Sequence, residues 1–164
     1  MLIVRATARL RQRLGPSTLR EEQSTTLLGQ WYATDLRWRP QVALLVNETT
    51  LLPVLMPLAP AATLPTRAAE EIATVLAAHG APDTIIHTER EHMREWRIGP
   101  TANRSVVGIM NEFTTLAHHW RPETRPDLLT MSMRLARVPC SPLYKRHVSP
   151  DLELTALLEA VVGP

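Results

Sequence analysis

The runs Trp31-Tyr32-Ala33-Thr34-Asp35-Leu36-Arg37-Trp38, Gln41-Val42-Ala43-Leu44-Leu45-Val46 and Thr50-Leu51-Leu52-Pro53-Val54-Leu55-Met56 decide the fold. The first has the aromatic and β-branched content of a strand. At a period of two it places Tyr32, Leu36 and Trp38 on one face, and Trp31, Asp35 and Arg37 on the other. The second is apolar at consecutive positions, as a central strand covered on both faces would be. Arg39-Pro40 and Asn47-Glu48-Thr49 have turn composition. Pro53 lacks a ladder donor and belongs at an edge or a bulge. Residues 31–56 therefore read as a three-stranded antiparallel meander.

Toward the N-terminus, residues 2–4 are a short apolar run that suits an edge strand. Residues 6–14 have helical spacing, with Leu10 and Leu14 four apart, and Gly15-Pro16 ends them. Residues 17–26 are polar and read as irregular or as a short helix. Toward the C-terminus, residues 57–65 look like a crossover connection. Thr66 suits the cap of a helix over 67–79, with an apolar stripe of Ala69, Ile72, Val75 and Leu76 and with Gly80 at its C′ position. A short helix over 83–94 and a strand over 95–98 follow. Val106, Ile109, Met110, Phe113, Ala117 and Trp120 then recur at three- and four-residue spacing, one buried face of a helix over 101–119. Residues 127–138 fit helix and strand alike. Ser149-Pro150-Asp151 opens a final helix that buries Leu154, Leu157, Leu158 and Val161. The expectation is a single α+β domain over 1–164, an antiparallel sheet packed against several helices.

With 164 residues, 45% of them hydrophobic and 21% charged, the chain can bury a full core. The net charge is +2, and Lys145 is the one lysine among 18 basic residues. Arg5, Arg9, Arg11, Arg13 and Arg20 form the only local basic excess, closed by Glu21 and Glu22, and read most simply as a solvated helix face. A lone cysteine, Cys140, excludes an intrachain disulfide and suits a reducing compartment. The N-terminus lacks the pattern of a signal peptide. The longest apolar run, 51–62, is broken by Pro53, Pro57 and Pro60 and cannot span a bilayer. A cytoplasmic protein with no membrane partner is expected.

The richest candidate site is Thr101, Asn103, Arg104, Ser105 and Asn111. Thr101 suits an N-cap, and the first helical turn offers unpaired N–H groups and partial positive charge. Arg104 is unfavourable there without a compensating partner. An anion held by backbone N–H groups, Arg104 and the Ser105 hydroxyl would supply one. Asn103 and Asn111 share one side of the helix, and Gly108 near them permits close approach. Asn47 and Thr49 of the meander turn complete the proposed site. The competing reading pairs Arg104 with an internal carboxylate and makes the asparagines structural.

Other constellations are weaker. Trp31, Tyr32, Asp35, Arg37 and Trp38 interleave aromatics with arginine, but core packing explains them without base stacking. Cys140, Tyr144 and His147 have no spacing that requires a nucleophile and base. His87, Glu91, His92, His118 and His119 match no metal-ligand pattern. There is no P-loop and no G-x-G-x-x-G, so no cofactor is implied.

Four segments together resemble a family of small bacterial proteins known as a domain of unknown function. They are Leu28-Gly29-Gln30-Trp31-Tyr32-Ala33, Val46-Asn47-Glu48-Thr49-Thr50-Leu51, the stretch 99–111 with its Thr-x-Asn-Arg-Ser-x-x-Gly-x-Met-Asn core, and Leu135-Ala136-Arg137-Val138-Pro139-Cys140. The resemblance implies a bacterial, intracellular single domain and carries no activity. Three functional expectations follow. The first is a binding module for an anionic or polar ligand, nucleotide or nucleic acid included. The second is an enzyme acting on a phosphate-containing or nucleic-acid substrate, with Asp35, His118 or His147 as base. The third is a protein-interaction subunit or homo-oligomer, using the exposed side of the meander or the run 53–65.

Overall fold

The structure, a computed structural model, describes residues 1–121 and 127–163. The meander forms as β2 (Trp31–Leu36), β3 (Val42–Asn47) and β4 (Pro53–Pro57), with Trp31 opposite Asn47 and Val46 opposite Pro53. The sheet then continues past the meander. β1 (Leu2–Ala6) pairs parallel with β2, Ala6 opposite Ala33, and β5 (Trp96–Pro100) pairs parallel with β1, Pro100 opposite Ala6. The order is β4-β3-β2-β1-β5, a five-stranded mixed sheet in an α+β fold. β1 is thus interior, where its short apolar run suggested an edge. The edge is β5, along which the 17–19 segment runs: Thr18 and Leu19 N–H both donate to the Ile98 carbonyl at 2.9 Å.

Every residue of β2 and β3 is buried, so the meander has no exposed side to offer a partner. Two cores sandwich the sheet. Trp31, Ala33, Leu45 and Val54 face α1 (Ala8–Leu14), α2 (Leu64–Ala78), α3 (Asp83–His92) and α6 (Pro150–Val162). Tyr32, Leu36, Leu44 and Leu55 face α4 (Arg104–Trp120) and α5 (Leu128–Leu135). The alternation read from 31–38 is the alternation between these two cores.

Helix boundaries show where local chemistry competes. α2 starts at Leu64, not after Thr66, because Pro65 fits the first turn, where no N–H is required. Gly80 follows it with φ +85, as a C′ glycine does. The ambiguous 127–138 segment is helical, opened by Asp127, whose Oδ2 accepts from the Thr130 N–H at 3.4 Å. In α6 Leu154 and Leu158 are buried, but Val161 is 48% exposed because the last turn projects beyond the core. Of the run 53–65, Pro53 to Met56 are buried in β4. Arg67 ties down the turn beyond, donating to the Pro57, Leu58 and Pro60 carbonyls at 2.8, 2.8 and 2.9 Å. Among the described residues no helix is long and apolar enough to cross a membrane.

Candidate functional site

The site is built on the junction of β5 with α4. β1 and β5 lie side by side and parallel, and the helices that follow them leave to opposite faces. Leu10 of α1 packs in the Trp31 core, whereas Val106 of α4 packs in the Tyr32 core. In open sheets such a reversal leaves a crevice at the C-terminal strand ends, and ligands bind there. Residues 101–104 lie at that end of the sheet, between β5 and α4.

Asn103, not Thr101, is the N-cap. Its Oδ1 accepts from the Ser105 N–H at 2.9 Å and the Val106 N–H at 3.3 Å. Thr101 and Ala102 are still the strand's exit, which displaces the cap by two residues. The Asn103 N–H itself donates to the Tyr32 hydroxyl at 2.9 Å, which anchors the helix start to the sheet. Two of the N–H groups an anion would use are therefore bonded internally. Arg104 and Ser105 are exposed, and no described carboxylate stands within ion-pair distance of Arg104. Asn111 is exposed two turns on, and a Cβ added at Gly108 meets nothing within 4 Å, so no chain packs closely there.

Asn47 belongs to a different environment. Its ladder partner is Trp31, so its side chain lies on the Trp31 face, opposite α4. It is fully buried. Nδ2 donates to the Leu28 and Gln30 carbonyls at 2.9 and 3.2 Å, and Oδ1 accepts from Thr49 N, Thr50 N and Thr50 Oγ1 at 3.1, 2.9 and 3.0 Å. Thr49 is exposed at the tip of the same turn. The structure does not gather Asn47 and Thr49 with the start of α4. Three strand spacings, about 14 Å, separate β3 from β5.

What links the two regions is Arg5. Its Nε donates to Gln30 Oε1, and its NH1 donates to the Pro100 carbonyl at 3.0 Å. Half-buried on β1, it borders a cleft of about 470 Å³ lined also by Arg20, Gln23, Gln30 and Glu48. Residues 101–111 lie outside that lining. Glu22 on its rim accepts from Arg20 N–H at 2.7 Å and Arg97 Nε at 3.1 Å. Hydrogen bonds from its own and the Arg20 backbone N–H, ahead of the Arg97 contact, hold its carboxyl below the usual range. The sequence signal for Arg5 is one charged residue directly after the apolar run Leu2-Ile3-Val4, inside what is strand β1.

A family model described as a domain of unknown function (DUF6933) matches residues 3–153, nearly the whole chain. The chain belongs to the DUF6933 family. No curated protein and no solved structure matches this DUF6933 chain. Arg5, Gln30 and the start of α4 all fall within the matched span.

Three other chemical candidates of the DUF6933 chain, Cys140, His147 and Asp35, have structural partners. Cys140 is fully buried, its thiol donates to the Val138 carbonyl at 3.3 Å, and burial, helped by Glu112, pushes its pKa from 9.0 up to about 12. A thiol so placed is a poor nucleophile. His147 Nδ1 lies 3.0 Å from the buried Glu153 carboxylate, which also receives Arg146. Asp35 accepts from Arg9 Nε at 2.7 Å. His118 sits on the last turns of α4, about 20 Å along the helix from Arg104. Among the described residues no ion pair joins any of these bases to Arg104. Among the described residues no three His, Cys, Asp or Glu side chains gather as a metal site.

Proposed function

We propose that this DUF6933 protein is a binding module for a small anionic or polar ligand, held in the cleft that Arg5 borders, beside the junction of β1, β5 and the start of α4. The observation that carries this reading is the placement of Arg5. Gln30 and the Pro100 carbonyl orient its guanidinium at the border of the cleft, and no described residue engages its NH2. An oriented guanidinium loses little freedom on gripping a carboxylate or phosphate. Arg104, exposed at the neighbouring helix start, supplies a second cation. Glu21, Glu22 and Glu48 also line the cleft, which favours a ligand with one anionic group over a polyanion inside it.

Titration calorimetry tests this with inorganic phosphate, a nucleoside monophosphate and a small dicarboxylate as probes. Binding of one probe that weakens about tenfold or more, ~1.4 kcal/mol, in Arg5→Ala and in Arg104→Ala is the expected result. Binding that neither substitution changes would refute the site.

A further inference from the structure

Arginines from three distant segments meet at one end of the sheet. Arg9 and Arg13 lie four apart, on one face of α1. Arg9 reaches the end of β2, where its Nε and NH2 meet Asp35 Oδ1 and the Asp35 carbonyl at 2.7 and 3.1 Å. Arg13 donates to Gln41 Oε1, just before β3. The turn between these strands supplies Arg37 and Arg39, both exposed, with no ion pair to a described carboxylate. Arg121, directly after α4, stacks over the Trp38 ring with its guanidinium carbon 4.7 Å from the centroid. These contacts hold Arg9, Arg13 and Arg121 beside the 35–41 segment, which itself carries Arg37 and Arg39. α1, the turn and the end of β2 contribute one carboxylate, Asp35, which Arg9 already engages. Among these described residues the five arginines exceed that carboxylate by four, twice the net +2 of the whole chain.

We propose that this arginine surface binds the phosphate backbone of nucleic acid. The guanidinium fork matches phosphate oxygens, and clustered arginines on one face are the electrostatic footprint of such binding. Trp38 is 8% exposed, so it braces Arg121 rather than stacking bases, and recognition is of backbone rather than sequence. A protein partner would need apolar anchors at the centre of the patch. Among the described residues the exposed large hydrophobics, Leu27, Tyr144, Val148, Leu152, Val161 and Val162, all lie on other segments. Arg121 stands apart from the Arg5 and Arg104 site: α4, 17 residues and about 25 Å long, separates Arg104 from Arg121.

Fluorescence anisotropy with a labelled single strand of roughly 20 nucleotides and its duplex, at about 50 and 200 mM salt, tests the proposal. The wild type is compared with Arg37→Glu/Arg39→Glu and with a control reversal on α3, Arg90→Glu/Arg94→Glu, each checked for folding by circular dichroism. The expected result is binding at low salt that drops about tenfold or more in the first variant, with the salt slope reduced by about 1.5, and that stays within about twofold in the control. No binding at low salt, equal losses in both variants, or tighter binding of a poly-glutamate peptide than of either oligonucleotide overturns it. Loss of oligonucleotide binding in Arg37→Glu/Arg39→Glu with phosphate binding intact separates this surface from the ligand site.

Discussion

Asn47 Oδ1 accepts three hydrogen bonds within its own turn, two of them from Thr50, at 2.9 Å from the backbone N–H and 3.0 Å from the hydroxyl. Through Nδ2 the same side chain holds the Leu28 and Gln30 carbonyls, and Gln30 in turn orients Arg5. Asn47 is thus a lock at the base of the cleft wall.

Replacing Asn47 tests that role. Asn47→Ala leaves buried N–H and C=O groups without partners, and a loss of about 3 kcal/mol in urea unfolding is expected. A variant as stable as wild type but impaired in ligand binding would return Asn47 to the site.

Glu89 gives a pH dependence. It is buried, its Oε1 accepts from Leu27 N–H, and its Oε2 has no partner among the described residues. Burial, only partly offset by the Leu27 and Leu28 N–H groups, raises its pKa above 4.5. With the folded value above the unfolded one, its contribution is fully present below about pH 4.5 and is lost as pH rises through the folded value. Urea midpoints of wild type should therefore decline over that interval relative to Glu89→Gln, which cannot ionise. Parallel profiles for the two proteins would contradict this.

Cys140 should be inert in the native state. With its pKa near 12 and its side chain fully buried, a thiol-specific chromogenic reagent at about pH 8 should label it only after denaturant is added. Rapid native labelling would mean that the loop around it opens.

The meander was legible because its signal is local: two-sided apolar runs, turn residues between them and a proline at the outer strand. The place of β1 was not. A three-residue apolar run does not name its neighbours, and parallel pairing is made by long crossovers. Helix starts erred where Asn103 capped in place of Thr101 and where Pro65 fitted the first turn ahead of Thr66. Arg5 could not be read as a site residue, because its partners Gln30 and Pro100 lie 25 and 95 residues away. The arginine surface was visible only in halves, one in α1 and one beside Trp38.

Ser132 shows how the outer edge of the sheet is closed, and it allows a sharp test. Its hydroxyl donates to the Leu128 carbonyl at 2.8 Å and accepts the Leu55 N–H at 2.9 Å, so α5 satisfies an edge-strand donor that Pro53 and Pro57 on either side do not possess. Ser132→Ala leaves that buried N–H unpaired, at a cost of about 1–3 kcal/mol in urea unfolding. It also loosens the helix that covers β4. An uncovered strand edge is a template for pairing with another chain. Light scattering at rising protein concentration should then show association in Ser132→Ala that Ser132→Thr, which keeps the hydroxyl, does not show. Equal association in both variants would mean that the prolines alone protect the edge.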